Sequence, residues 1–132
     1  MAHNMDRRPP AGLNLGLSFN HGKAYDASTY RHAPSMEANT TYTGSLSMTG
    51  NGYVRYADDP AFDVGAEMTI AFWLNTSSTR INYLISKWEA AAGSDSYLIY
   101  MTSSGTVYFN TSTTGSYQSS RDLVGSESVR DG

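Results

Sequence analysis

The chain has 132 residues, a net charge of −3 and no cysteine. This length suits one domain with a core of its own, and the absence of cysteine excludes a disulfide framework. Only 16% of the residues are charged and they are scattered, so the sequence excludes the basic stripe expected of a nucleic-acid-binding protein.

No stretch of the chain approaches the roughly 20 consecutive apolar residues that a membrane-crossing helix needs. The first residues, MAHNMDRRPP, are polar and lack the apolar centre of a secretory signal peptide. We therefore expect a flexible leader at 1–11, followed by one domain at 12–132, with no membrane partner. The tyrosines and glycines favour short strands and tight turns over helices.

The first predicted strand shows a period of two, with Leu13, Leu15, Leu17 and Phe19 on one face. The polar span 20–43 is long for a structureless loop, so we expect it to contain a short strand or to cross a sheet edge. Further strands are predicted at 45–49 and 52–56, with a Gly50-Asn51-Gly52 turn between them and a turn-rich connection at 57–65.

Residues 67–88, EMTIAFWLNTSSTRINYLISKW, hold two apolar runs that each contain a tryptophan. The first run is apolar on both faces, which is typical of a central strand, so we expect a strand at 67–75 with Phe72 and Trp73 buried between two sheets. A second strand is predicted at 80–88. It ends at Trp88 beside a loop, where that side chain could line a site at the rim.

The remaining predicted elements are a loop at 89–95, with one helical turn as the alternative, a hairpin and a last weak strand. The hairpin joins strands 96–102 and 106–111 through Ser103-Ser104-Gly105, and the weak strand covers 116–123. Seven to nine short strands without a helix predict an all-β sandwich or barrel.

Four short segments resemble the laminin G-like, concanavalin A-like lectin and glucanase jelly-roll superfamily. They are Gly52-Tyr53-Val54, the Phe62-Asp63 turn, TIAFW at 69–73 and Ser86-Lys87. The likeness covers about residues 13–132 and is sharpest from about 44 to 109. It implies an antiparallel two-sheet jelly-roll β-sandwich with a binding role. In such domains a Trp-His-His-like strand follows a segment like SVRDG, with which this chain ends. We therefore expect a truncated domain, or a sheet that another chain completes.

The acidic residues do not form the carboxylate pair on which glycoside hydrolysis depends, because the glutamates are far apart in the sequence. No nucleophile motif accompanies the three histidines. We therefore predict that the protein is not an enzyme. The resemblance implies one cofactor, a Ca²⁺ ion at the rim of the sandwich. Its candidate ligands are the loop acids Asp26, Asp58, Asp59, Asp63 and Asp95. The alternative is that Asp58, Asp59 and Asp63 form turns.

Exposed aromatic rings could stack on sugars, and the candidates are Tyr25, Tyr30, Tyr42, Trp88 and Tyr117. The alternative is that each tyrosine lies at a sheet surface with its ring inward. We expect non-catalytic recognition of a surface glycan or protein. The expected setting is a phage virion, tail or capsid appendage, or otherwise extracellular. The alternatives are a fragment of a secreted bacterial surface adhesion protein and a glycan-cleaving enzyme of the same fold. A homo-oligomer is a further expectation.

Overall fold

The computed structural model describes residues 13, 15–20, 23–63, 67–88 and 95–130. The chain divides into two compact units, residues 1–62 and 63–132. In the described ranges the strands are β1 Leu17–Asn20, β2 Lys23–Asp26, β3 Pro34–Tyr42, β4 Leu46–Tyr56, β5 Asn82–Lys87, β6 Asp95–Met101, β7 Thr106–Gly115 and β8 Leu123–Ser128. Single 3₁₀ turns lie at Pro60–Phe62 and Ser119–Arg121.

Every strand pair of these sheets is antiparallel, which confirms the predicted all-β, antiparallel fold class. The pairs form a β1-β2 sheet, a β3-β4 sheet and a four-stranded sheet in the order β5-β6-β7-β8. The jelly-roll strand order stays a prediction. The predicted leader at 1–11 and most of the loop at 89–95 lie outside the described residues.

The first unit confirms that the polar span 20–43 contains strand structure, because the whole of β2 and of β3 lies within it. Its predicted turn at 50–52 is wrong: β4 runs without a break through these residues. Ala38 pairs with Tyr53 and Thr40 with Met48, so residues 49–52 lie opposite Asn39 alone. The Gly-Asn-Gly sequence therefore forms a bulge inside a long strand rather than the end of a hairpin.

The second unit confirms the predicted strand at 80–88 and the predicted hairpin. The hairpin turn is closed by a hydrogen bond from the Thr102 N–H to the Thr106 carbonyl, and Gly105 adopts a φ of 87°. A positive φ strains residues that carry a Cβ, so glycine suits this position. The buried apolar side chains Leu98, Ile99 and Met101 all lie on β6, between its two neighbouring strands.

Two predictions for the second unit are wrong. The apolar segment, residues 67–75, pairs with no described strand, and its Trp73 is fully exposed (103%) while Phe72 is 43% exposed. A two-residue period shows which side chains share a face but does not supply a neighbouring strand. The last strand begins at Leu123 rather than at residue 116, because Asn110 Nδ2 donates to the Gln118 carbonyl and fixes the preceding residues in a turn.

Among the described residues, no helix is long and apolar enough to cross a membrane.

Candidate functional site

A row of tyrosines crosses one face of the four-stranded sheet. Tyr83 of β5 pairs directly with Tyr100 of β6, and Tyr100 pairs with Tyr108 of β7. Directly opposed residues of antiparallel strands project from the same face, so the register brings these rings side by side. The ring centroids of Tyr100 and Tyr108 are 5.0 Å apart in a stacked arrangement, and those of Tyr83 and Tyr100 are 6.4 Å apart. Tyr83 is 70% exposed, so the row is open to solvent at the β5 edge.

Two further aromatic rings stand beside this row. Trp88 follows the last residue of β5 and Tyr117 lies in the connection after β7, and their ring centroids are 6.0 Å apart in an edge-on contact. Together with Tyr83 and Tyr100, these two rings border a cleft of about 540 Å³, within the usual size range of small-molecule sites. We call it the aromatic cleft; it is lined by Ile81, Tyr83, Ser86, Trp88, Leu98, Tyr100 and Tyr117.

A chain of hydrogen bonds supports one wall of the aromatic cleft. The Tyr117 hydroxyl donates to Asp122 Oδ2 over 2.8 Å, and Asn110 Nδ2 donates to Asp122 Oδ1 over 2.8 Å. Hydrogen bonding with Tyr100, and to a smaller extent with Asp122, raises the pKa of the Tyr117 hydroxyl, so this group keeps its proton. Asn110 is completely buried (0% exposed) and anchors the chain in the sheet. The Tyr117 ring is therefore held in place before any ligand arrives, which lowers the cost of ordering it on binding.

The structure brings two of the five predicted ligand-binding aromatics, Trp88 and Tyr117, into this one site. Tyr25 and Tyr30 are exposed residues of the first unit. Tyr42 is half-buried there, where its ring stacks on Phe19 at 5.9 Å and burial raises its pKa. None of these three lines the aromatic cleft.

Asp26, a predicted calcium ligand, is buried in the first unit, and its carboxylate already accepts several hydrogen bonds from protein groups. It accepts bonds from the backbone N–H groups of Gly16, Ser28 and His32, from the Ser28 hydroxyl and from His32 Nδ1. Burial alone would raise its pKa, but these hydrogen bonds outweigh burial and hold the pKa of Asp26 well below its ordinary value. Its oxygens thus organise a loop.

The other calcium candidates are spread over both units. Asp59 accepts a hydrogen bond from the Ala61 N–H at 2.8 Å, as a turn-forming aspartate does, and its Oδ2 lies 3.6 Å from His32 Nε2. Asp63 forms an ion pair with Lys87. The Asp95 side chain lies outside what the structure describes. Within the described ranges, no three His, Asp or Glu side chains form a group that could hold a metal ion.

Several residues of the site were not among the sequence candidates: Tyr83, Tyr100, Tyr108, Asn110 and Asp122. A signal for two of them was present, because the Ser103-Ser104-Gly105 turn fixes the hairpin register and so sets Tyr100 opposite Tyr108. The contact between Trp88 and Tyr117 joins residues far apart in the sequence, and no local pattern indicates it.

No family model matches the chain, and no curated protein or solved structure shows significant similarity to it. The likeness to laminin G-like domains therefore stays an interpretation of the residues.

Proposed function

We propose that this protein recognises an uncharged glycan without cleaving it, and that sugar rings stack in the aromatic cleft. The observation that carries this proposal is the convergence of the Tyr83, Tyr100, Trp88 and Tyr117 rings on one open cleft. A sugar ring has an apolar C–H face and a polar edge. Aromatic rings with hydroxyl groups beside them offer matching apolar and polar surface.

The polar groups of the aromatic cleft favour an uncharged ligand. Among the residues that the structure describes, its lining contains no lysine or arginine, and the carboxylate hydrogen-bonded to its Tyr117 wall belongs to Asp122. An anionic sugar would lose water on entering such a cleft without gaining an opposite charge, which costs free energy. Sugar hydroxyls can donate to tyrosine and serine oxygens, and Ser86 supplies one such oxygen at the lining.

The test is a glycan array probed with the full chain, followed by calorimetry with the best-binding neutral oligosaccharide. We expect Trp88→Ala to weaken binding by about tenfold or more, because truncating a central aromatic contact typically costs over 1 kcal/mol. Tyr117→Phe keeps the ring but removes the donor to Asp122, so we expect a smaller loss than for Trp88→Ala.

Tyr25→Ala is the control, because it removes an exposed aromatic ring from the first unit, away from the aromatic cleft. Its affinity should equal that of the unaltered chain. Equal losses for Trp88→Ala and Tyr25→Ala would contradict the proposed site, and binding to proteins but to no glycan would contradict the ligand class. Shortening of the oligosaccharide during incubation, detected by mass spectrometry, would contradict the absence of catalysis. The virion or bacterial-surface setting stays a prediction from the resemblance.

A further inference from the structure

The apolar segment, residues 67–75, has the sequence of a strand but none of a strand's backbone bonds. Its backbone forms no hydrogen bond with any residue that the structure describes. Its even-numbered residues Ile70 and Leu74 are half-buried and Met68 and Phe72 are partly exposed (36% and 43%), whereas every odd-numbered residue from 67 to 75 is exposed. The segment is thus two-faced, with unpaired N–H and C=O groups along its edges. Such an edge is a ready template for a further strand.

The inner face of this segment already has a place in the second unit. Met68, Ile70 and Phe72 border an apolar cleft of about 430 Å³ together with Ile99 and Phe109 of the four-stranded sheet, and Thr69 also reaches its lining. The outer face carries Trp73, which is fully exposed (103%). A tryptophan ring presents a large apolar surface, and removing part of that surface from water lowers the free energy.

The order of residues in the segment is self-complementary about Ala71. In an antiparallel pair of two copies centred there, Met68 would lie opposite Leu74 and Ile70 opposite Phe72, so apolar side chains meet on the inner face. On the outer face, Trp73 of each copy would lie opposite Thr69 of the other. Aromatic residues opposite β-branched ones are favourable cross-strand pairs.

The one charge of the segment also favours antiparallel over parallel pairing. Its one charged residue, Glu67, would lie opposite Asn75 in the antiparallel pair. In a parallel, in-register pair Glu67 would lie opposite Glu67 of the other copy, and like charges directly opposed are destabilising.

We propose that two copies of this chain form a symmetric dimer by antiparallel pairing of their 67–75 segments, with Ala71 at the two-fold axis. Such a dimer pairs the backbone groups along one edge of each segment, places the partner's Thr69 beside each Trp73 ring and brings together identical surfaces, as two-fold interfaces do. The proposal is independent of the aromatic cleft, since none of the cleft's lining residues belongs to the segment.

The test measures the mass of the full chain by sedimentation equilibrium over a wide range of concentrations. We expect a monomer–dimer equilibrium for the unaltered chain. Ala71→Glu places two carboxylates opposite each other at the axis, and Ala71→Lys places two ammonium groups there, so each variant alone should dissociate at least about tenfold more readily. An equimolar mixture of the two variants should dimerise again, because a carboxylate then lies opposite an ammonium group.

Ala71 is exposed in this structure, so both variants should fold, and circular dichroism checks this. Ser77→Glu is the control: it adds the same charge at an exposed position outside the paired register and should leave the dimer intact. Four results would overturn the proposal. They are a native chain that stays monomeric at every concentration, a dimer that tolerates Ala71→Glu, a mixture that does not reassociate, and a segment that pairs only with a strand of a different protein.

Discussion

Within the first unit, the loop between β2 and β3 is held by the carboxylate of Asp26. This group is buried and accepts hydrogen bonds from Gly16, Ser28 and His32, so one side chain joins the backbone just before β1 to the loop at 28–32. We expect Asp26→Asn to lower the free energy of unfolding by about 3 kcal/mol, because it removes the charge that these donors surround. Urea denaturation near neutral pH measures this change.

The pH dependence of stability gives a second readout for Asp26. Its folded-state pKa is lowered, so the carboxylate stabilises the fold above its unfolded-state pKa of about 4 and loses that contribution as the pH falls toward the folded-state value. The difference in melting temperature between the unaltered chain and Asp26→Asn should therefore be largest near neutral pH and narrow below about pH 4. Glu127→Gln, which alters an exposed carboxylate of β8, should differ little in melting temperature from the unaltered chain at either pH.

At the scale of elements, the bulge in β4 depends on the close approach of two backbones. A methyl group at Gly52 would lie 2.8 Å from the Asn39 carbonyl oxygen and 3.0 Å from the Met48 Cβ. We expect Gly52→Ala to lower the free energy of unfolding by about 1–3 kcal/mol, as overpacking typically does. The measurement is the urea midpoint.

Gly50 in the same bulge provides the contrasting variant. Its φ is 58° and a Cβ there meets nothing within 4 Å, so backbone conformation rather than space constrains this position. Asparagine tolerates the left-handed region, so Gly50→Asn should cost much less than Gly52→Ala. Equal losses of stability for the two variants would contradict the close-contact argument.

These elements also show how far the sequence predicts the structure. The alternation of SYLIYM and the turn at 103–105 predicted both strands of the hairpin, because local periodicity and turn chemistry fix them. The apolar pattern of residues 67–75 was equally clear, yet it does not specify a partner strand, and the segment is unpaired. At the candidate site, Trp88 and Tyr117 were predicted individually, but their contact depends on the path of the chain after β7.

For the whole molecule, the balance of 12 acidic and 9 basic residues leaves a net charge of −3. Two copies that approach each other therefore repel weakly, and salt screens that repulsion over the Debye length, about 10 Å at 0.1 M. The proposed dimer interface contains no ion pair for salt to weaken, since Glu67 lies opposite Asn75 in the register. Raising the salt should therefore leave dimerisation unchanged or strengthen it slightly.

Sedimentation equilibrium at about 0.05 M and about 0.5 M NaCl measures this effect, and we expect the dimer dissociation constant to change by less than about threefold. Ala71→Glu should respond more strongly than the unaltered chain, because its loss of affinity comes from two opposed carboxylates whose repulsion salt screens. A native dimer that dissociates at high salt would instead indicate an interface built on ion pairs. Such an interface could not be centred on Ala71, because the segment around it carries only one charged side chain.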